Sequence, residues 1–260
     1  MFDTAAYLRR IAYQGEIAPS TETLRGLHIA HLRAVPFENL DIHLGRPIVL
    51  DEERLFDKIV RRHRGGFCYE LNGLFATLLR EIGFEVTMLA ARFPPEKGHA
   101  EGSEFDHLTL LVRGNDFAKP VLADVAAGRG SFAFPLAFEM EREQDQPEAG
   151  SAFRLLPEED AVRVWRRPAG DDWLPEYCFT LIPRRLSDFE EGSQYHQTSP
   201  ESGFTRGRLA TLMTPTGRIT LSDRRLIATI HGQRTERALD DEAAVQQTLA
   251  TVFGIDLNME

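Results

Sequence analysis

The chain has 260 residues, 42% hydrophobic and 27% charged, with 40 Asp and Glu against 30 Lys and Arg and a formal charge of −10. That is the profile of a globular protein in water, and its acidic excess repels phosphate backbones and anionic lipid, which argues against nucleic-acid and membrane-surface partners. No apolar run approaches the ~20 residues of a membrane span, and Met1 to Gln14 carries Asp3, Arg9 and Arg10 where a leader would be apolar, so a cytoplasmic protein is expected.

Taken in chain order, the pattern changes twice, giving three regions: 1–84, 85–190 and 191–260. The first is helical. Ser20 can cap a helix on which Leu24, Leu27, His31 and Val35 share one face, and Pro36 stops it. Asp51 can cap a second, with Leu50 and Leu55 spaced as a hydrophobic staple and Ile59 extending the apolar face. The third helix follows Gly65-Gly66 and carries Leu71, Leu74, Phe75, Leu78, Leu79 and Ile82, with Gly83 as its C-terminal cap.

From Glu85 the period shortens to strand-like runs at Val86–Ala91, Phe105–Val112, Val121–Val125, Phe153–Leu156, Val162–Trp165 and Tyr177–Ile182. Such short runs separated by turn residues predict an antiparallel sheet or barrel. Gly192 to Gly207 is polar; then come strands at Leu209–Met213, Arg218–Leu221 and Leu226–Ile230 and an amphipathic helix bearing Val245, Leu249, Val252 and Phe253, closed by Gly254.

The two cysteines, Cys68 and Cys178, signal no disulfide framework, and no metal-ligand spacing occurs. Cys178 sits in an apolar strand and reads as core. Cys68 falls in a helix's first turn, where unpaired amides and the positive end of the dipole favour the thiolate nucleophile. Its base is best sought in His107, one of eight histidines, on a strand where Leu108, Leu110 and Val112 point one way and His107 and Thr109 the other. The next strand carries Asp124. A hairpin register that sets His107 opposite Asp124, or one displaced by two residues that makes them diagonal neighbours, puts both on one face; a one-residue slip separates them. Cys68, His107 and Asp124 are thus a thiol acyl-transfer constellation.

Several motifs then occur together. Arg64-Gly65-Gly66-Phe67-Cys68-Tyr69-Glu70 with Asn72-Gly73, Val35-Pro36-Phe37-Glu38-Asn39-Leu40, Asp106-His107-Leu108, Asp124-Val125, Thr214-Pro215-Thr216-Gly217-Arg218 and Phe253-Gly254-Ile255-Asp256-Leu257 run nearly end to end. With them the sequence resembles the arylamine N-acetyltransferase family. The resemblance implies an α+β fold of N-terminal helical bundle, central antiparallel β-barrel and C-terminal α/β lid, with a cysteine-protease-like Cys-His-Asp triad where the first two meet. It implies ping-pong acetyl transfer from acetyl-CoA through Cys68 to an arylamine, hydrazine or arylhydroxylamine nitrogen, with no metal.

By the same resemblance Phe37, Phe93, Ala127 and Phe204 would border the acceptor, and Gly128, Thr214 and Gly217 would meet the acetyl-CoA. Arg61, Arg62, Arg224 and Arg225 are weighed as phosphate contacts against ordinary surface charge, and Glu38 with Arg64 as a buried ion pair against two solvated charges. The chain departs from the family at Asp124-Val125-Ala126-Ala127-Gly128, where relatives have an aromatic residue in place of Ala127, at Leu71 in place of glutamine, and at Phe93 in place of valine. The rival readings are an amide synthase fed by an acyl carrier protein, a thiol hydrolase, and a carbohydrate- or peptide-binding barrel.

Overall fold

The computed structural model describes residues 2–94 and 103–257. Helix α1 (Thr4–Arg10) is capped by Asp3 and α2 (Thr21–Ala34) by Ser20, whose hydroxyl accepts the Thr23 amide. The sequence pattern missed α1. At seven residues it is too short to show a period, and it is held by tertiary contacts: Tyr7 is buried with its hydroxyl 2.9 Å from His31 Nδ1, and Arg10 donates to the Ala34 and Ile59 carbonyls. After the two-residue strand β1 (Phe37–Glu38) come α3 (Leu40–His43) and α4 (Glu52–Phe56), the latter capped by Asp51 as expected.

The helix begun by α4 then widens into a π-helical turn, Asp57–Arg61. Lys58, Ile59 and Val60 are all buried there, three consecutive residues that one face of an α-helix does not present together. Helix α5 (Cys68–Ile82) follows, ended by Gly83 at φ 105°.

Eight strands among the described residues form an antiparallel, nearly closed barrel: β2 (Glu85–Arg92), β3 (His107–Arg113), β4 (Val121–Ala123), β5 (Leu136–Ala137), β6 (Gln144–Gln146), β7 (Ser151–Glu158), β8 (Ala161–Pro168) and β9 (Leu174–Arg184). Their order is β5-β4-β3-β2-β9-β8-β7-β6. Between the two edge strands, glutamine amides stand in for backbone. Gln144 accepts the Ala137 amide at 2.7 Å and donates to its carbonyl at 3.0 Å; Gln146 does the same for Phe134 at 3.0 and 2.8 Å. Leu108, Leu110 and Val112 of β3 pack with Leu71, Leu74 and Phe75 of α5, which fixes the helix against the barrel wall.

Helices α6 (Glu190–Thr198) and α7 (Gly203–Arg206) occupy the stretch that looked merely polar. Beyond them β10 (Leu209–Thr214), β11 (Gly217–Ser222), β12 (Arg225–Ile230) and β13 (Gln233–Ala238) form a sheet whose other edge is β1. Helix α8 (Glu242–Phe253) covers it with Val245, Leu249 and Phe253. Strand β13 escaped the sequence reading because all six residues are exposed, leaving no apolar alternation. Among the described residues no helix is long and apolar enough to cross a membrane.

Several strands run a few residues beyond the expected bounds, and two strand ends fall short of them. Strand β3 begins at His107 rather than Phe105, and β4 ends at Ala123 rather than Val125. At β4 the cause is side-chain capture of the backbone: the Asp124 amide donates to His28 Nε2 and the Val125 amide to Asn72 Oδ1.

The glutamine seam generates a stability prediction. Gln146→Leu removes two hydrogen bonds and leaves the Phe134 amide and carbonyl without them, so urea denaturation is expected to show a loss of about 2 kcal/mol.

Candidate active site

The turn before α5 works only with small residues. A Cβ on Gly65 would run into the Pro36 carbonyl oxygen, and one on Gly66 would lie 2.6 Å from Glu70 Oε2. The close approach lets Glu38 donate its amide to the Gly66 carbonyl at 2.9 Å and lets Glu70 reach back to the Phe67 amide at 3.0 Å. Cys68 is therefore the first residue of α5, only 3% exposed, with its thiol 4.0 Å from the Asp106 carbonyl and close enough to His107 to be influenced by its imidazole.

The hairpin adopts the diagonal register: Leu110 pairs with Ala123, Leu111 with Leu122 and Val112 with Val121. His107 Nε2 lies 2.6 Å from Asp124 Oδ2, with both residues at most 1% exposed. The structure brings Cys68, His107 and Asp124 into one chain of contacts. Asp124 Oδ1 accepts from Asn72 Nδ2 and from the Ala126 amide, each at 2.9 Å. Asn72 also donates to the Leu108 carbonyl at 2.6 Å, so one helix side chain holds β3 and the end of β4. The rings of Tyr177 and Phe93 flank His107 with centroids at 5.0 and 5.3 Å.

A family model described as N-acetyltransferase matches residues 20–260. An arylamine N-acetyltransferase of Mycolicibacterium smegmatis is 35% identical over 262 residues, covering 98% of this chain and 92% of that protein. An arylamine N-acetyltransferase / N-hydroxyarylamine O-acetyltransferase of Salmonella typhimurium is 34% identical over 97% of this chain and 89% of its own length. The Mycobacterium marinum arylamine N-acetyltransferase in complex with CoA superimposes with a TM-score of 0.90 at 35% identity, covering 97% of this chain and 93% of that one. The chain belongs to the arylamine N-acetyltransferase family.

In this N-acetyltransferase, burial alone would lower the His107 imidazole, but the Asp124 carboxylate raises it to about 10. Burial likewise opposes the charge on Asp124, yet His107, Asn72 and the Ala126 amide hold it below the ordinary carboxylate value. Burial pushes the Cys68 thiol up, and the contact with His107 is what pulls against it. The helix terminus that favours the thiolate is therefore not enough by itself; the imidazolium must stay charged beside it.

Of the acceptor residues expected from sequence, Phe37 and Phe204 meet with centroids 5.9 Å apart, and Phe204 lies 6.1 Å from Phe67, next to Cys68. Phe93 rests on His107 and packs against the barrel cluster that includes Ala127. Gly128 opens a short 3₁₀ turn four residues past Asp124. Thr214 and Gly217 close the β10–β11 hairpin, whose Thr211 pairs with Phe37. A Cβ on Gly217 would meet the Thr229 carbonyl, so backbone approach explains that glycine.

Of the arginines weighed as phosphate contacts, Arg61 pairs with Glu53 and Asp57, Arg62 with Asp57 and Arg225 with Glu236, and Arg224 donates to the Leu239 carbonyl. Cys178 is core, as expected. Glu38 and Arg64 do form a buried pair, at 2.8 Å, and it is part of a larger group: Arg64 also reaches Asp41 at 2.9 Å, and Lys58 bridges Asp41 at 2.7 Å and Glu70 at 2.8 Å. The sequence reading gave no role to Asn72, Tyr177, Asp41 or Lys58. Asn72 carried a usable signal, a polar residue inside the apolar stripe of α5; Lys58 carried none, because only the π-helical turn buries it.

Asp124→Asn keeps the shape of the acid but removes the charge that raises His107. The imidazole is expected to fall toward its ordinary ~6.5, so near neutral pH the imidazolium is lost. Iodoacetamide should then alkylate Cys68 more slowly by orders of magnitude while circular dichroism stays native; unchanged alkylation would remove Asp124 from the chain.

Proposed function

We propose that Cys68 takes the acetyl group of acetyl-CoA and passes it to the nitrogen of an arylamine, hydrazine or arylhydroxylamine, in a cytoplasmic enzyme. The observation that carries this reading is the buried Cys68, His107 and Asp124 chain in a protein that matches its family from residue 20 to the end.

In the first half-reaction the Cys68 thiolate, whose proton His107 already holds as the imidazolium, attacks the thioester carbonyl. The C–S bond to CoA breaks, and the departing CoA thiolate takes the proton from the imidazolium. In the second, the amine attacks the acetyl-cysteine carbonyl, His107 accepts a proton from nitrogen, and it is returned to the Cys68 sulfur as that C–S bond breaks. Each tetrahedral oxyanion is stabilised by the Cys68 amide at the start of α5. Exchange of one thioester for another is nearly balanced in energy, whereas amide formation makes the second step downhill.

We read Phe37, Phe204 and Phe93 as the acceptor's surroundings, with Ala127 beside them, and Gly128, Thr214 and Gly217 as contacts of the CoA. The working units are 1–84, which delivers the nucleophile, 85–190, which supplies base and acid, and 191–260, which closes over both.

Brief exposure to acetyl-CoA without acceptor is expected to add one acetyl group to Cys68 by mass spectrometry, and double-reciprocal plots at varied acceptor should be parallel. Intersecting lines, or no adduct, would mean direct transfer or another activity. For specificity, Phe93→Val should admit bulkier amines. Adding Ala127→Phe in that background supplies a ring that can stack on the arene of an aniline, and kcat/KM for small anilines should rise about tenfold. No change in either variant would place the acceptor elsewhere.

A further inference from the structure

Behind the Cys68 turn lies a charge group that the acetyl transfer above does not use. It contains three carboxylates, Glu38, Asp41 and Glu70, and two cations, Lys58 and Arg64, all buried. Among these five the count leaves one negative charge in excess, which disfavours ionising all three carboxyls at once.

Hydrogen-bond chemistry demands the opposite of Glu70. Its Oε1 accepts from the Lys58 ammonium at 2.8 Å and its Oε2 from the Phe67 amide at 3.0 Å. Only the carboxylate offers an acceptor at both oxygens. A carboxylic acid must turn one of them into a donor against a donor, and a glutamine amide can satisfy one contact but not both. Glu70 is therefore caught between a charge count that disfavours its ionisation and a geometry that needs it ionised.

The other groups around it are accounted for. Glu38 Oε2 accepts the Leu40 amide at 2.7 Å, and Asp41 is held below its ordinary value, against its burial, by Lys58 and Arg64. A cavity of about 400 Å³ opens onto Asp41, Lys58 and Glu70, with Arg46, Glu53, Arg54, Asp57, Arg61 and Arg62 also lining it, which gives water a route to the group. Consistently, burial raises Glu70 to about 7, only partly countered by Lys58. Because this value lies above the ordinary 4.5, the fold favours the proton: stability from this group is fullest at acid pH and declines as pH rises through about 7, while the Phe67 cap is completed over the same range.

We propose that Lys58 and Glu70 are positioning residues for the nucleophile: Lys58 keeps Glu70 ionised, ionised Glu70 holds the Phe67 amide, and that hold keeps the Cys68 sulfur against His107. The proposal rests on Cys68 being the nucleophile, so alkylation is followed by mass spectrometry at that residue; label elsewhere would overturn the reading of the site, not this inference alone.

The test is the pH profile of Cys68 alkylation by iodoacetamide on the full chain. Wild type is expected to show an inflection near neutral pH that is missing in Glu70→Gln, whose rate stays low throughout. Lys58→Met should move the inflection up by about one pH unit, lowering the rate near neutrality about tenfold, and Lys58→Arg should restore the wild-type profile. A merely structural role would lower thermal stability without moving the inflection. Coincident profile shapes for wild type and Glu70→Gln would overturn the proposal, and that comparison stands even if Lys58→Met does not fold.

Discussion

Asn72 is the point at which helix and barrel become one site. Its amide donates to the Leu108 carbonyl and to Asp124, and its oxygen accepts the Val125 amide, so a single side chain sets α5 against β3 and stops β4. Satisfying a buried amide's donors and acceptor fixes position more tightly than apolar packing, which tolerates sliding. The apolar face of α5 brings the helix to the barrel wall; Asn72 decides where along the wall it rests. From that one placement follow the separation of Cys68 from His107 and the hold on Asp124.

The electrostatics are layered around that frame. Asp124 is committed to the charged form by three partners and in turn keeps a proton on His107 well above the ordinary range. The thiol, pushed up by burial, depends on that proton for its own ionisation. Each charge in the series is affordable only because the next is present, which is the usual condition for ionised groups out of water. A second buried group, on the far side of the Cys68 turn, governs the shape of the turn rather than the charge of the sulfur.

The C-terminal sheet is less separate from the site than the chain order implies. Its edge is β1, contributed by residues 37 and 38 from the helical region, and the same two residues meet Gly66 in the nucleophile turn. On the other side, His196 of α6 lies 3.0 Å from Asp106, the neighbour of His107, with Phe204 5.1 Å from its ring. Residues from all three stretches of the chain thus meet around the Cys68 turn and the start of β3.

The sequence by itself determined the features that depend on neighbours along the chain. Helices α2, α5 and α8 with their caps at Ser20, Gly83 and Gly254 were legible because capping and apolar period are local. So was the order Cys68, His107, Asp124, and so was the parity the hairpin needs if His107 and Asp124 are to share a face. Tertiary structure chose between the two registers that parity left open, and it selected the diagonal one because Asn72 and His28 take the Val125 and Asp124 amides from the ladder. It also made α1, the glutamine seam and the exposed β13, none of which carries a period. Lys58 is the sharpest case. On sequence it is one lysine in a charged helix, and only a change of helical pitch, set by what packs around it, turns it into a buried cation facing three carboxylates.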